Sequence, residues 1–127
     1  MEQNFQNKKI LVVEDEKPMR RVLVDSLKNE GFFVYEADNG ISGLDTAIRE
    51  RPDLILLDLV MPHMDGIEML KKLRNDEWGK NAVVIVLTNL SDTDKIVEAT
   101  QCGAFGYLVK TNWKMKEVVK KVKDCLG

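Results

Sequence analysis

The sequence predicts an α/β fold in which helices cover both faces of a doubly wound parallel sheet of five strands. Short runs of apolar residues alternate five times with stretches whose apolar residues recur at helical spacing. Apolar runs bounded by polar residues are typical of strands buried on both faces. Short connections between such elements favour parallel strands with right-handed crossovers. The 127 residues are expected to form one domain, 1–127, with its core at about 8–126.

The first strand and helix are predicted from an apolar run and two punctuating residues. The run 10–13 predicts the first strand, and Pro18 suits the first turn of the helix that follows. Gly31 is expected to end that helix. The aromatic and β-branched run 32–35 then predicts the second strand.

The second helix and third strand follow from a polar cap and a second apolar run. Either Asp38 or Asn39 is expected to cap the helix, which ends before Pro52. The run 54–57 predicts a strand that leads directly to Asp58.

The remaining elements are predicted from turn residues and helical spacing. The segment 60–66 contains Pro and Asp-Gly and is expected to be a loop before the third helix. The run 83–87 predicts the fourth strand. Ser91 with Asp94 resembles a capping box at the start of the fourth helix.

The fifth strand and last helix complete the pattern. The fourth helix is expected to end at Gly103, and 105–109 predicts the fifth strand. Apolar residues at helical spacing between 115 and 126 predict the last helix.

Composition excludes several classes of protein. Hydrophobic residues make up 44% and charged residues 31% of the chain, which argues against disordered and membrane proteins. A net charge of −2 argues against direct nucleic-acid binding. Without an apolar leader or a membrane-length apolar run, the expected location is the cytoplasm. Cys102 and Cys125 are expected to be two buried, reduced thiols.

Reactive side chains directly follow four of the predicted strands. Glu14 and Asp15 follow the first strand, Asp58 the third, Thr88 the fourth and Lys110 the fifth. Because parallel strands place their carboxyl ends at one edge, where α/β sheets bind ligands, these side chains are expected to form one site. The chain has neither of the common glycine-rich phosphate-binding motifs. Any phosphate chemistry must therefore rely on side chains and a metal ion.

In this order, and together with segments 10–16, 58–66 and 103–110, these residues resemble the receiver domain of two-component response regulators. The resemblance covers about 8–126. It implies a flavodoxin-like (βα)5 fold with strand order 2-1-3-4-5. It also implies a phosphorylation-dependent signalling switch, a phosphoprotein that assists its own phosphorylation and dephosphorylation without being an enzyme in the usual sense.

The resemblance assigns each site residue a role. Asp58 would accept a phosphoryl group from a phosphohistidine, on a histidine kinase or a histidine phosphotransfer protein. Asp15 and Asp58 would bind Mg²⁺ directly, Glu14 through water, and Val60 through its backbone carbonyl. Three carboxylates in one pocket repel each other, and a hard divalent cation relieves that repulsion. Lys110 would neutralise charge on the phosphoryl oxygens.

The resemblance also implies how phosphorylation is transmitted. The Thr88 hydroxyl would hydrogen-bond the phosphoryl group, and the Tyr107 ring would move inward into the space that Thr88 leaves. A downstream protein partner would bind the surface formed by the fourth helix, fifth strand and last helix. Membrane and direct nucleic-acid partners are not expected.

Three departures from the usual receiver pattern are visible. Thr111 follows Lys110 in place of proline, so a trans peptide bond is expected there. Val60 offers no hydrogen bond to an attacking water, and Asn89 is larger than the residue usual at its position. Both of these substitutions are expected to slow loss of the phosphoryl group.

Two other classes of protein compete with this interpretation. A haloacid-dehalogenase-like phosphatase also uses a nucleophilic aspartate with Mg²⁺, but the segment 14–16 lacks the Asp-x-Asp pair that such enzymes carry. A flavin-binding module of similar topology is the third alternative. Within the receiver interpretation, a stand-alone regulator is favoured over an excised receiver of a longer protein with a DNA-binding or enzymatic output.

Overall fold

A parallel sheet of five strands forms the centre of the computed structural model, which describes residues 7–61, 63–89, 93–110 and 114–126. The strand order is β2-β1-β3-β4-β5, and every neighbouring pair is parallel. This architecture confirms the predicted fold class and strand order. The strands are β1 (Lys9–Val13), β2 (Phe33–Ala37), β3 (Leu54–Asp58), β4 (Val84–Thr88) and β5 (Gly106–Val109).

Helices connect the successive strands and cover both faces of the sheet. The helices are α1 (Lys17–Asn29), α2 (Gly40–Glu50), α3 (Gly66–Arg74), α4 (Thr93–Gln101) and α5 (Met115–Leu126), with a 3₁₀ turn at Gly79–Asn81.

Alternating residues of the central strands face two separate hydrophobic clusters. Ile10 and Val12 pack with residues of α1 and α5, whereas Leu11 and Val13 pack with residues of α2, α3 and α4. All four side chains are fully buried. The central strands β1, β3 and β4 are thus buried on both faces, as their apolar runs predict.

The two edge strands do not follow that prediction. The side chain of Phe33 in β2 is 55% exposed and that of Tyr107 in β5 is 50% exposed. Each edge strand has a neighbour on one side only, so the flanking helices cover it incompletely. An apolar run therefore overestimates burial at the edges of the sheet.

Helix ends agree with most of the predicted signals. Pro18 lies in the first turn of α1, and Gly31, just past the end of that helix, has φ 96°. This left-handed conformation favours glycine. Of the two predicted caps for α2, Asn39 caps the helix, since its side chain accepts from the Ser42 amide at 2.9 Å.

The edge-strand boundaries differ slightly from the sequence prediction. β2 is paired with β1 as far as Ala37, through the polar Glu36, because backbone hydrogen bonding continues where apolar character stops. β5 begins at Gly106, one residue later than expected. The predicted capping box at Ser91 and the Lys110–Thr111 peptide bond lie outside the described residues.

Arg74, the last residue of α3, joins three segments at the amino-terminal edge of the sheet. Its Nε donates to the Cys102 carbonyl at 2.8 Å and its Nη2 to the Gly103 carbonyl at 3.0 Å. Its Nη1 donates to the carbonyls of Gly79 and Ala82 at 2.7 and 2.8 Å. The guanidinium therefore ties the carboxyl end of α4 to α3 and to the 3₁₀ turn.

The two cysteines are free thiols, as predicted, but they are half-buried and not fully buried. Cys102 lies just beyond α4 and Cys125 in the last turn of α5, where each contacts the edge of a hydrophobic cluster. Among the described residues, none of the helices has the length and apolar character needed to cross a membrane.

Candidate functional site

Three polar side chains are buried at the carboxyl ends of the central strands. Glu14 is 0%, Asp58 1% and Thr88 1% exposed. The register explains their proximity, since Asp58 pairs with Leu87, and Thr88 pairs with Val109 on the next strand. The predicted convergence of these residues at one edge is therefore present.

Lys110 joins two of the buried carboxylates. Its ammonium nitrogen lies 2.8 Å from Asp58 Oδ2 and 2.9 Å from Glu14 Oε1, and its side chain is only 11% exposed. The Lys110 amide donates to the Thr88 carbonyl at 2.7 Å, which fixes the backbone at the end of β5. The three residues predicted from three separate strand ends thus form one charged cluster.

Glu14 retains acceptor capacity within this cluster. Its Oε2 accepts from the Glu16 amide at 3.1 Å. Its Oε1 faces the Lys110 ammonium but has no hydrogen bond of suitable geometry from the described residues. The Lys110 ammonium at 2.9 Å compensates the charge of this buried oxygen, which still has lone-pair capacity for a further donor or cation.

Asp58 titrates far from its ordinary range. Burial raises its pKa from 3.8 to about 7; the hydrogen bond from Lys110 opposes this rise, and the neighbouring Glu14 carboxyl adds to it. For Lys110, burial lowers the pKa, but the close contacts with the Asp58 and Glu14 carboxylates outweigh burial and the net shift is upward. The ammonium is therefore retained while Asp58 changes charge.

A fourth acidic residue, Glu16, belongs to the site, and the sequence analysis gave it no role. Carboxylate oxygens of Glu14, Asp15 and Glu16 lie within 4.8 Å of one another. Asp58 is not a member of that group and is linked to it through Lys110. Glu16 is 68% exposed, with its Oε1 3.9 Å from the Lys110 ammonium. The run of three consecutive acids was the signal that pointed to Glu16.

The other predicted site residues surround this cluster. The Val60 amide donates to Asp58 Oδ1 at 3.2 Å, so Val60 contacts the aspartate through its backbone. The Thr88 hydroxyl donates to the Asn89 carbonyl at 3.2 Å. Tyr107 is half-exposed on the edge strand. The roles of the Val60 carbonyl and of Tyr107 stay predictions.

Gly66 allows the start of α3 to lie directly against the backbone of Asp58. A Cβ at this position would lie 2.3 Å from the Asp58 carbonyl oxygen and 2.7 Å from the Leu59 Cα. The Gly66 amide donates to the Leu59 carbonyl at 3.0 Å. The sequence analysis treated this glycine only as a loop residue, because a close approach of two backbones leaves no pattern in a single sequence.

The acidic edge of the sheet fits a hard divalent cation. The Lys110 ammonium lies 2.8, 2.9 and 3.9 Å from carboxylate oxygens of Asp58, Glu14 and Glu16, and the Asp15 carboxylate belongs to the same acidic group. Carboxylate oxygens, supplemented by water and a backbone carbonyl, are the ligands that Mg²⁺ prefers. The donor set therefore suits Mg²⁺.

A protein-family model matches most of the chain and agrees with the resemblance that the sequence shows. The model for the response regulator receiver domain matches residues 10–123. Sporulation initiation phosphotransferase F of Bacillus subtilis (strain 168) is 39% identical over 104 residues, which is 82% of each chain. Regulatory protein AtoC of Escherichia coli (strain K12) is 39% identical over 102 residues, which is 80% of this chain and 22% of that protein.

Solved structures agree with the sequence matches. The receiver domain of sensor histidine kinase PA1611 from Pseudomonas aeruginosa PAO1 superimposes with a TM-score of 0.86 at 29% identity. The match covers 95% of this chain and 98% of that domain, whose structure has a magnesium ion coordinated in the active site cleft. Receiver domains are signalling domains, and phosphorylation on aspartate and Mg²⁺ binding are typical of them. The family model and the relative favour neither the phosphatase nor the flavin alternative, and this chain belongs to the response regulator receiver domain family.

Proposed function

We propose that this protein is a phosphorylation switch in which Asp58 accepts a phosphoryl group from a phosphohistidine in the presence of Mg²⁺. The contact of the Lys110 ammonium with both Asp58 and Glu14 is the observation that carries the proposal. That geometry supplies a buried carboxylate and a fixed cation beside it. Receiver domains interact with histidine kinases or phosphotransfer proteins and with downstream effectors.

The transfer requires Asp58 to act as a nucleophile. An Asp58 carboxylate oxygen attacks phosphorus, and the P–N bond to the donor histidine breaks with its electron pair going to the imidazole nitrogen. Asp58 must be ionised for this attack, so a second cation beside it favours the reactive form. Lys110 lies where it can contact a phosphoryl oxygen once the group is attached.

The proposed Mg²⁺ ligands are Asp15 and Asp58 directly, the Val60 carbonyl, and Glu14 through water. Glu14 Oε1 is ion-paired with Lys110 but accepts no hydrogen bond of suitable geometry from the described residues, so it can accept one from a metal-bound water. When bound, the ion would neutralise negative charge on the carboxylates and on the transferred group. The chain's own residues orient Asp58: the Val60 amide holds Oδ1 and Lys110 holds Oδ2.

The proposed output passes through Thr88 and Tyr107. The phosphoryl group adds about −1.5 to −2 charges and three acceptor oxygens, which attract the Thr88 hydroxyl. Tyr107 lies in β5 and is half-exposed. We propose that its ring moves inward when Thr88 moves toward the phosphoryl group. We place the downstream protein partner on the surface formed by α4, β5 and α5.

We favour a stand-alone regulator. The chain matches 82% of one short relative, which supports this choice, but it also matches 22% of a much longer one. An endogenous polypeptide with a mass near 14.5 kDa, detected by immunoblotting, would support the stand-alone form. A substantially larger endogenous polypeptide would show that an output domain is attached.

Phosphorylation by a small donor tests the proposal directly. With acetyl phosphate and Mg²⁺, mass spectrometry should show one added phosphate on the native chain and none on D58N. D15N should lose Mg²⁺ binding and phosphorylation together. D25N removes an exposed carboxylate from α1 and serves as the control, which should be modified normally. Equal modification of D58N and the native chain would contradict the proposal.

A further inference from the structure

Arg20 contacts the backbone of the acidic segment 14–16 through the Glu14 carbonyl. It lies in the second turn of α1, and its side chain is 14% exposed. Its Nη1 donates to the Glu14 carbonyl at 2.9 Å, and its Nε donates to Glu36 Oε1 at 3.1 Å. Both ends of the guanidinium are therefore held, one by the residue that directly follows β1 and the other by a residue of β2.

The Glu14 carbonyl lies just beyond the last paired residues of the sheet. Val13 is paired with Leu57, and the Glu14 amide still donates to the Ala37 carbonyl at 3.0 Å. The next peptide, which contains the Glu14 carbonyl and the Asp15 amide, leaves the sheet. Because a peptide unit is planar, holding the Glu14 carbonyl also fixes the direction in which the chain enters Asp15.

We infer that Arg20 is a positioning residue for the cation site, which holds the Glu14–Asp15 peptide in place before the cation binds. The inference rests on the proposed function, since it requires the acidic segment to bind a divalent cation. Glu36 orients the guanidinium and belongs to the same arrangement. Ligands that are already arranged lose less conformational freedom on binding, so the site binds more tightly.

The size of the expected effect follows from the kind of contact. Removing an outer partner of a metal ligand commonly weakens metal binding by about 10–100-fold. Arg20 acts through a backbone carbonyl and not through a ligating side chain, so we expect the lower end, about tenfold. A purely structural role would instead lower the unfolding midpoint and leave the Mg²⁺ affinity of the folded protein unchanged.

A neighbouring arginine supplies a matched control. Arg21 lies on the same helix and is exposed, and its side chain has no hydrogen bond or ion pair within the described part of the chain. R20M and R21M therefore remove the same charge from adjacent positions, and only R20M removes the contact with Glu14. R20K restores the charge and one of the two hydrogen bonds, and E36Q removes the charged partner of Arg20.

Two measurements on the folded proteins test the inference. The Mg²⁺ dissociation constant is obtained by NMR titration, and hydrogen exchange of the Glu16 amide is measured without metal, because that amide donates to Glu14 Oε2. R20M should raise the dissociation constant about tenfold and speed Glu16 exchange. R20K and E36Q should be intermediate, and R21M should stay within about twofold of the native chain because exposed charges are screened.

The two proposals fail in different ways. If the native chain does not bind Mg²⁺, the proposed function is wrong. If the native chain binds Mg²⁺ but R20M matches R21M in affinity, Arg20 has no positioning role. Unchanged exchange of the Glu16 amide in R20M would also overturn the inference, even if R20M unfolds at a lower temperature.

Discussion

Protonation of the Asp58 carboxyl is coupled to folding, because its pKa differs between the folded and the unfolded chain. Its pKa is raised from 3.8 to about 7 in the folded protein, so the folded state holds this proton more tightly than the unfolded chain. The stabilisation is fully present below pH 3.8 and is lost as the pH rises through about 7. In metal-free protein, we therefore expect D58N to become increasingly stabilising, relative to the native chain, between those values.

Urea unfolding at a series of pH values measures this difference. Lys110 keeps its charge over the whole range because its net pKa shift is upward, so the comparison isolates the carboxyl groups. Mg²⁺ binds the ionised carboxylates, and its addition should stabilise the native chain more at pH 8 than at pH 5. A stability difference between D58N and the native chain that does not vary with pH would contradict the coupling.

Two residues beside Asp58 are expected to set the lifetime of its phosphorylated form. Val60 is 48% exposed and apolar, and Asn89 is exposed after β4. Hydrolysis of an acyl phosphate needs a water molecule in line with the P–O bond, and positioning that water is much of the catalysis. Val60→Asn should hold such a water and Asn89→Ala should open its path, so each should speed decay by up to about tenfold.

Decay of the Asp58 phosphate in excess Mg²⁺ gives the measurement. Val22→Asn makes the same change at a half-exposed position on α1 and serves as the control. If neither Val60→Asn nor Asn89→Ala decays faster than the native chain, these two side chains do not control the lifetime. An Asn89 amide that itself holds the water would make Asn89→Ala slower, the opposite of our expectation.

At the scale of single elements, the contact between α3 and β3 determines where Asp58 lies. Gly66→Ala would put a methyl group 2.3 Å from the Asp58 carbonyl oxygen and 2.7 Å from the Leu59 Cα, and both of these atoms belong to the backbone. One of the two elements must shift, so we expect a loss of about 1–3 kcal/mol in unfolding free energy together with weaker Mg²⁺ binding.

Gly106→Ala is the matched control for that substitution. Its Cβ would lie 2.8 Å from Lys121 Cε, which is the far end of a flexible side chain that can move away. Unfolding by urea should therefore show a much smaller change for Gly106→Ala. Equal destabilisation by the two substitutions would mean that the close approach of α3 to β3 is not the cause.

The elements that the sequence predicted well are those with local signals. Pro18, Gly31 and Asn39 act within one turn of their helices, so their effect is visible in a short stretch of sequence. The end of β2 was predicted less well, because Glu36 joins the sheet through backbone pairing with β1 and not through its side chain.

At the scale of the whole molecule, phosphorylation is expected to shift a population of conformations. Changing a ratio of 1:99 into 99:1 requires about 5.5 kcal/mol of differential stabilisation, so a partial shift is the safer expectation. NMR of the phosphorylated native chain should show chemical-shift changes in 93–110 and 114–126, with the Tyr107 ring less accessible to solvent. T88A should accept phosphate and show smaller changes in those segments. Changes confined to the neighbourhood of Asp58 would contradict this route.

The assembled site shows where sequence reasoning stops. Parallel strand ends are enough to bring Asp58, Glu14 and Lys110 together, because topology alone dictates which ends meet. Topology does not state which side-chain atoms touch. Lys110 contacts both carboxylates, and Arg20 donates a hydrogen bond to the Glu14 carbonyl. Both contacts depend on interatomic distances that only the three-dimensional structure gives.

The four carbonyls that surround Arg74 limit how α4 can move. Two of them, the carbonyls of Cys102 and Gly103, anchor the carboxyl end of α4, while Thr93 lies at the other end of this nine-residue helix. That helix is about 13.5 Å long, so a rotation of about 10° around the anchored end displaces the other end by about 2 Å. If α4 rotates about the end that Arg74 anchors, we therefore expect its largest displacement at Thr93.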